Sequence, residues 1–167
     1  MNKTIIAIDP GEKGFITVYR DGSFTFYAIA DHDREELARI INSYFDPFEP
    51  VVAVMEEVHA VFGSSAKSTF NFGEVFGFLK GILIASGIPY HLVQPKSWQS
   101  EIWINEDKVW RYKVDGKKMV DTKNTSIAAA RRLFPNIDLR RTPKCKGPDD
   151  NKVDSILICE YARRKNL

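Results

Sequence analysis

Ile5-Ile6-Ala7-Ile8-Asp9-Pro10-Gly11 and Val51-Val52-Ala53-Val54-Met55-Glu56-Glu57 decide the fold. Each is a short apolar run, rich in β-branched residues, that stops at an acidic residue. The first reads as a buried strand ended by a turn. The second follows a helical stretch and is apolar on both faces. That combination predicts a central strand parallel to the first, because a parallel partner needs a crossover and burial on both sides.

The rest of the chain arranges itself around this pair. Residues 15–19 and 23–29 flank Asp21-Gly22, a strong hairpin signal, so the first 30 residues predict three antiparallel strands. Leu37, Ile40, Ile41 and Tyr44 have helical spacing over residues 33–44, closed by Pro47 and Pro50. A long helix over about 68–86, then Gly87, leads to a fifth strand over 88–93. Pro95-Lys96-Ser97-Trp98 starts a short helical segment, and residues 105–120 show no clear period and read as an excursion. Residues 121–134 predict a helix with Asp121 or Thr122 as N-cap, and 149–164 a last one with Val153, Ile156, Leu157 and Tyr161 on one face. The expectation is one α/β domain over residues 1–167, a mixed five-stranded sheet flanked by helices.

Composition excludes several classes. With 44% hydrophobic and 28% charged residues the chain is not broadly disordered. Two cysteines, Cys145 and Cys159, make neither a disulfide framework nor a four-thiolate zinc site. No apolar run approaches the roughly 20 residues of a membrane span, and the N-terminal run is too short for a secretory signal. The expectation is a soluble, cytoplasmic protein with no membrane partner. The net charge of +2 is unevenly spread: residues 105–146 hold twelve Lys and Arg against five Asp and Glu, and the remainder is net acidic. A polyanion-facing surface beside an acidic site fits this division, as does a solvated basic loop.

The acidic residues have an order. Asp9 and Glu56 occupy equal positions past two runs expected to pair in parallel, so they fall at the same end of the sheet, the end that ligands favour. Asp150 and Asp154 are four apart at the start of the last helix and share a face. Glu57 should point away from Glu56, since side chains alternate along a strand. Singly, each has a plain structural role: Asp9 forms a turn before Pro-Gly, and Asp149 and Asp150 complement a helix dipole. Together the four carboxylates would repel unless neutralised, and a hard cation such as Mg²⁺ or Mn²⁺ neutralises them. Two such ions can clamp the attacking and leaving oxygens of a phosphodiester displacement.

At these residues the chain resembles the RuvC family of Holliday junction resolvases, and among them the phage-type members. The resemblance is carried by Ala7-Ile8-Asp9-Pro10-Gly11, Glu56-Glu57-Val58-His59 and Asp150-x-x-x-Asp154-Ser155-Ile156-Leu157. Phe70-Asn71-Phe72-Gly73, Val93-x-Pro95-Lys96-x-Trp98, Asp121-Thr122-Lys123 and Ala130-Arg131-Arg132-Leu133-Phe134-Pro135 fit in order between them, over nearly the whole chain. The resemblance implies an RNase H-like fold, a homodimer and Mg²⁺-dependent nicking of four-way DNA junctions, in a bacterial cell or encoded by a phage. It makes Asp9, Glu56, Asp150 and Asp154 metal ligands and puts Lys123 near the site. Two departures stand out. The bacterial enzymes space the last acidic pair three apart, where this chain has Asn151, and they carry an aromatic wedge where this chain has His59, with Phe62 as the alternative.

Lys67, Lys80, Lys96, Lys117 and Lys118 are candidate phosphate contacts, and Trp98, Trp103 and Trp110 either stack on bases or fill the core. Gly73, Gly77 and Gly81, four apart in one helix, call for a closely approaching backbone, from the chain's own sheet or from a partner subunit. Two other functions compete with the nuclease. The Ile-Asp-Pro-Gly turn resembles the phosphate loop of actin-like ATPases and sugar kinases, although no second Asp-x-Gly follows a strand. The other is an inactive junction-binding module, which would not need all four carboxylates.

Overall fold

The structure, a computed structural model, describes residues 3–57 and 65–167. Strands β1 (Thr4–Asp9), β2 (Phe15–Arg20) and β3 (Ser23–Ala28) lead through helix α1 (Arg34–Asn42) to β4 (Val51–Glu56). Helix α2 (Ala66–Ala85) connects to β5 (Tyr90–Val93), followed by α3 (Pro95–Ile102) and a hairpin of β6 (Trp110–Tyr112) and β7 (Lys118–Val120). Helices α4 (Thr122–Leu133) and α5 (Asp150–Lys165) complete the order. The main sheet runs β3-β2-β1-β4-β5, with β1 parallel to β4, β4 parallel to β5, and β1-β2-β3 antiparallel.

Local chemistry explains the element ends. Asp21 and Gly22 both have positive φ, 52° and 80°, as a tight β2–β3 turn twisted to match its strands requires. Asp33, Ser65, Asp121 and Asp149 cap α1, α2, α4 and α5, each side chain accepting a backbone N–H of its own first turn. The Asp121 or Thr122 alternative is thus resolved for Asp121.

Strand alternation divides the core in two. Ile5, Ala7, Val52 and Val54 face α3, α4 and α5, packing with Trp98, Ala130, Val153 and Leu157. Ile6, Ile8, Ala53 and Met55 face α1 and α2, against Leu37, Ile41, Val75 and Leu79. Burying one such aliphatic side chain contributes about 1.5–3 kcal/mol, so both faces hold β1 and β4 centrally. A buried hydroxyl pair, Thr17 Oγ1 and Ser155 Oγ at 2.7 Å, sets α5 against β2.

Two expectations gain detail. The excursion over residues 105–120 is a 3-10 turn at Asn105–Asp107 followed by the β6–β7 hairpin. Asp107 is buried and takes two hydrogen bonds from Arg132 of α4, at 2.9 and 2.7 Å, which hold its carboxyl below the usual range and anchor the hairpin's base. The glycine stripe of α2 does not meet the chain's own sheet. Among the described residues, a Cβ on Gly73, Gly77 or Gly81 would find no atom within 4 Å, because the buried face of α2 is Val75, Leu79, Ile82 and Leu83. Among the described residues, no helix is long and apolar enough to cross a membrane.

Candidate active site

The register that pairs Ile8 with Met55 brings Asp9 and Glu56 side by side one step further, at the carboxyl ends of β1 and β4. Parity then sets their direction. Asp9 follows Ile5 and Ala7, and Glu56 follows Val52 and Val54, so both carboxylates point to the face covered by α3, α4 and α5. Glu57, one residue past β4, has the parity of Ala53 and Met55, and its backbone N–H donates to Val93 O at 2.7 Å.

Asp9 is held by its turn. Gly14 crosses so close to it that a Cβ there would lie 2.0 Å from the Asp9 carbonyl oxygen, and the Gly14 N–H donates to Gly11 O at 3.0 Å. Only glycine fits that crossing. Asp9 is buried, and its carboxyl is pushed well above the ordinary range, first by burial and then by the charges of Asp154, Glu56, Asp150 and Asp149.

Glu56 accepts a hydrogen bond from the indole Nε1 of Trp98 at 2.8 Å. Burial raises its carboxyl and this bond partly offsets the rise. Trp98 is fully buried, braced edge-on by Trp103, so its role is to orient Glu56 rather than to stack on a base. The sequence offered only the Val93-x-Pro95-Lys96-x-Trp98 spacing as a sign of this.

Asp149 caps α5 and is joined by Arg141 at 3.6 Å, so Asp150 and Asp154 begin the helix from a fixed end. Asp154 rises to about 7, chiefly through burial, with Glu56 and Asp150 adding to the rise and Ser126 and Lys123 opposing it. Its Oδ1 is buried with no hydrogen-bond partner among the described residues. Asp150, half-exposed, pairs with Lys123 Nζ at 3.1 Å. The first turns of α4 and α5 therefore meet at the rim of the carboxylates.

Chains from three distant segments thus bring Asp9, Glu56, Asp150 and Asp154 within mutual electrostatic reach, with Lys123 beside them. The donors are carboxylate oxygens, one of them buried and without a hydrogen-bond partner among the described residues, and carboxylate oxygen is the donor type that hard divalent cations take. Among the described residues no group of three or more acidic, histidine or cysteine side chains is placed so that it could hold a metal ion.

The other predicted contacts scatter. Lys67 lies in the first turn of α2 and Lys96 at the start of α3, both exposed. Because β4 and β5 are parallel, α2 runs back toward the strands' amino ends, and Lys80 lies about 20 Å along it from the helix start. The structure does not bring Lys80 to the carboxylates. Lys117 and Lys118 are exposed on the hairpin. His59 and Phe62, the proposed wedge positions, lie outside the described residues.

A mixed sheet in the order β3-β2-β1-β4-β5, flanked by five helices, is the RNase H-like fold of the RuvC type. Two solved structures share it. "T. thermophilus RuvC in complex with Holliday junction substrate" has a TM-score of 0.55 and 10% identity, covering 97% of this chain and 96% of that one. "Thermus thermophilus RuvC structure" has a TM-score of 0.50 and 14% identity, covering 98% and 96%. At these identities the likeness is one of fold. No family model matches the sequence, and no curated protein does.

Proposed function

We propose that this protein is a metal-dependent, structure-selective endodeoxyribonuclease that nicks four-way and other branched DNA, a phage-type RuvC-like enzyme of one nuclease domain acting as a cytoplasmic homodimer. The observation that carries the reading is the buried carboxylate set itself. Burial raises the carboxyls of Asp9, Glu56 and Asp154, and for Asp9 and Asp154 the neighbouring carboxylates add to the rise. A fold maintains such a penalty for use, and cation binding is the use that removes it. The fold it shares with RuvC bound to a Holliday junction supports branched DNA as the substrate class.

Asp9, Glu56, Asp150 and Asp154 would hold Mg²⁺, or Mn²⁺ in its place, as two ions per site. Bound there, the ions would supply charge stabilisation for the phosphate and would polarise the attacking water. The chain's own groups do the rest. Trp98 fixes one oxygen of Glu56 and so leaves the other free of that bond. The Gly11–Gly14 turn keeps Asp9 from swinging outward. Lys123, at the exposed rim, balances Asp150 and offers a cation to a backbone phosphate entering the site.

The test is a labelled synthetic four-way junction incubated with Mg²⁺ and with EDTA, beside an ATP hydrolysis assay. Cleavage in Mg²⁺ alone, without ATP turnover, is expected. ATP turnover without cleavage would favour the actin-like reading, and binding without cleavage the inactive module.

A further inference from the structure

The β6–β7 hairpin has no counterpart in the function proposed so far, yet the fold invests in holding it. Its ladder runs straight into the capping residue of α4: Asp121 N–H donates to Val109 O at 2.8 Å, and Val109 N–H to Thr125 Oγ1 at 3.0 Å. The Asp107–Arg132 pair fixes the approach to it from the other side. An isolated two-stranded hairpin is marginal in water, and these anchors stabilise this one without burying its surface.

What it presents outward is unusual. Trp110 pairs with Val120 and Tyr112 with Lys118, so alternation puts both aromatic rings and Lys118 on one face. Lys118 Nζ sits 4.3 Å from the centre of the Trp110 ring, which pre-orders that ring. Tyr112 is 71% exposed and Val114, at the tip, fully so. Residues 108–118 carry five basic side chains against Asp115 alone. A protein groove would match the apolar rings but not that charge. A nucleic acid strand matches both, since it is polyanionic and its bases offer flat apolar faces.

Position narrows the choice of strand. The arm leaves the fold at the first turn of α4, two residues before Lys123, and Lys123 pairs with Asp150. From Val109 to its tip it extends about 15–20 Å, the length of roughly five nucleotides. The hairpin is thus tied, through the first turn of α4, to the element that carries the cation beside the carboxylates.

We propose that the β6–β7 hairpin is a stacking arm: Tyr112 and Trp110 hold an unstacked base beside the branch point while Lys113, Lys117 and Lys118 contact the flanking phosphates. The proposal rests on the nuclease reading above. The experiment uses the full-length chain, Ca²⁺ to permit binding, and a four-way junction with 2-aminopurine at the branch. Wild-type protein should change the 2-aminopurine fluorescence. The double substitution Trp110→Ala with Tyr112→Ala should abolish that change and weaken junction binding by roughly tenfold, while a linear duplex is bound as before. Tyr112→Phe, which keeps the ring, should keep both. An unchanged urea midpoint is expected for these exposed sites and separates lost contact from lost folding. A double variant that binds and reports like wild type overturns the arm alone, and so does one that changes the molecular mass in solution instead of the DNA signal. A wild-type protein that neither binds nor cuts junctions overturns the nuclease reading, and the arm with it.

Discussion

Asp154 combines a buried oxygen with no hydrogen-bond partner among the described residues and a carboxyl raised to about 7. Asp9 and Glu56 are raised with it, burial being the first cause in all three. The sign of the resulting pH dependence follows from linkage. A carboxyl with a higher value in the folded chain than in the unfolded one, where it is about 4, binds protons more readily when folded. Stability therefore falls as pH rises from about 4 toward 7, by a few kcal/mol for Asp154, and levels off above. We expect the thermal midpoint of EDTA-treated protein to drop between pH 5 and pH 8. Added Mg²⁺ should raise the midpoint at pH 8 far more than at pH 5, because only ionised carboxylates bind it. A midpoint insensitive to both would mean that the four groups do not form a cation site.

Among the elements, β1, β4 and the first turn of α5 were legible in the sequence because each pairs a buried run with an acidic end. Asp9 and Glu56 sit at matched positions, and the parallel register keeps them matched. The hairpin was not legible: its strands are three residues each, too short to show a period of two. Its one signal was Asp115-Gly116, with Gly116 at φ 79°, the same kind of turn pair that announced β2 and β3. The glycine stripe failed for another reason. Spacing shows that three residues share a helix face but not which way it turns; Val75, Leu79 and Ile82, displaced half a turn from it, held that answer. Trp98 as the partner of Glu56 depends on a contact 42 residues apart, which no local pattern encodes. Two element-scale outcomes are expected. Gly14→Ala puts a methyl on the Asp9 carbonyl, so it should destabilise the fold by about 2 kcal/mol or more in urea denaturation and impair cleavage beyond that. Neutralising Lys117, Lys118 and Lys123 together should flatten the slope of log K against log salt for junction binding, since fewer counterions are released. An unchanged slope would mean that this stretch faces solvent rather than DNA.

For the whole molecule, the open question of assembly has a physical form. A four-way junction offers two equivalent strands, and symmetric cutting wants two sites related by a two-fold axis. The outward face of α2 joins exposed Phe70 and Ile84 to Gly73, Gly77 and Gly81, an apolar, small-residue surface on which a second copy can pack closely. Light scattering at micromolar concentration should report twice the monomer mass, and Phe70→Glu should lower it. A clean monomer that still cuts opposed strands symmetrically would contradict the dimer. The reading as a whole rests on the direction in which one strand points its last two acids. Single-turnover cleavage of a labelled junction in Mg²⁺, with binding measured separately in Ca²⁺, compares Glu56→Gln with Glu57→Gln. We expect Glu56→Gln to lose several orders of magnitude in rate while still binding, and Glu57→Gln to stay within about tenfold of wild type, roughly 1.4 kcal/mol of barrier. An essential Glu57 beside a dispensable Glu56 would contradict the carboxylate assignment and the nuclease site built on it.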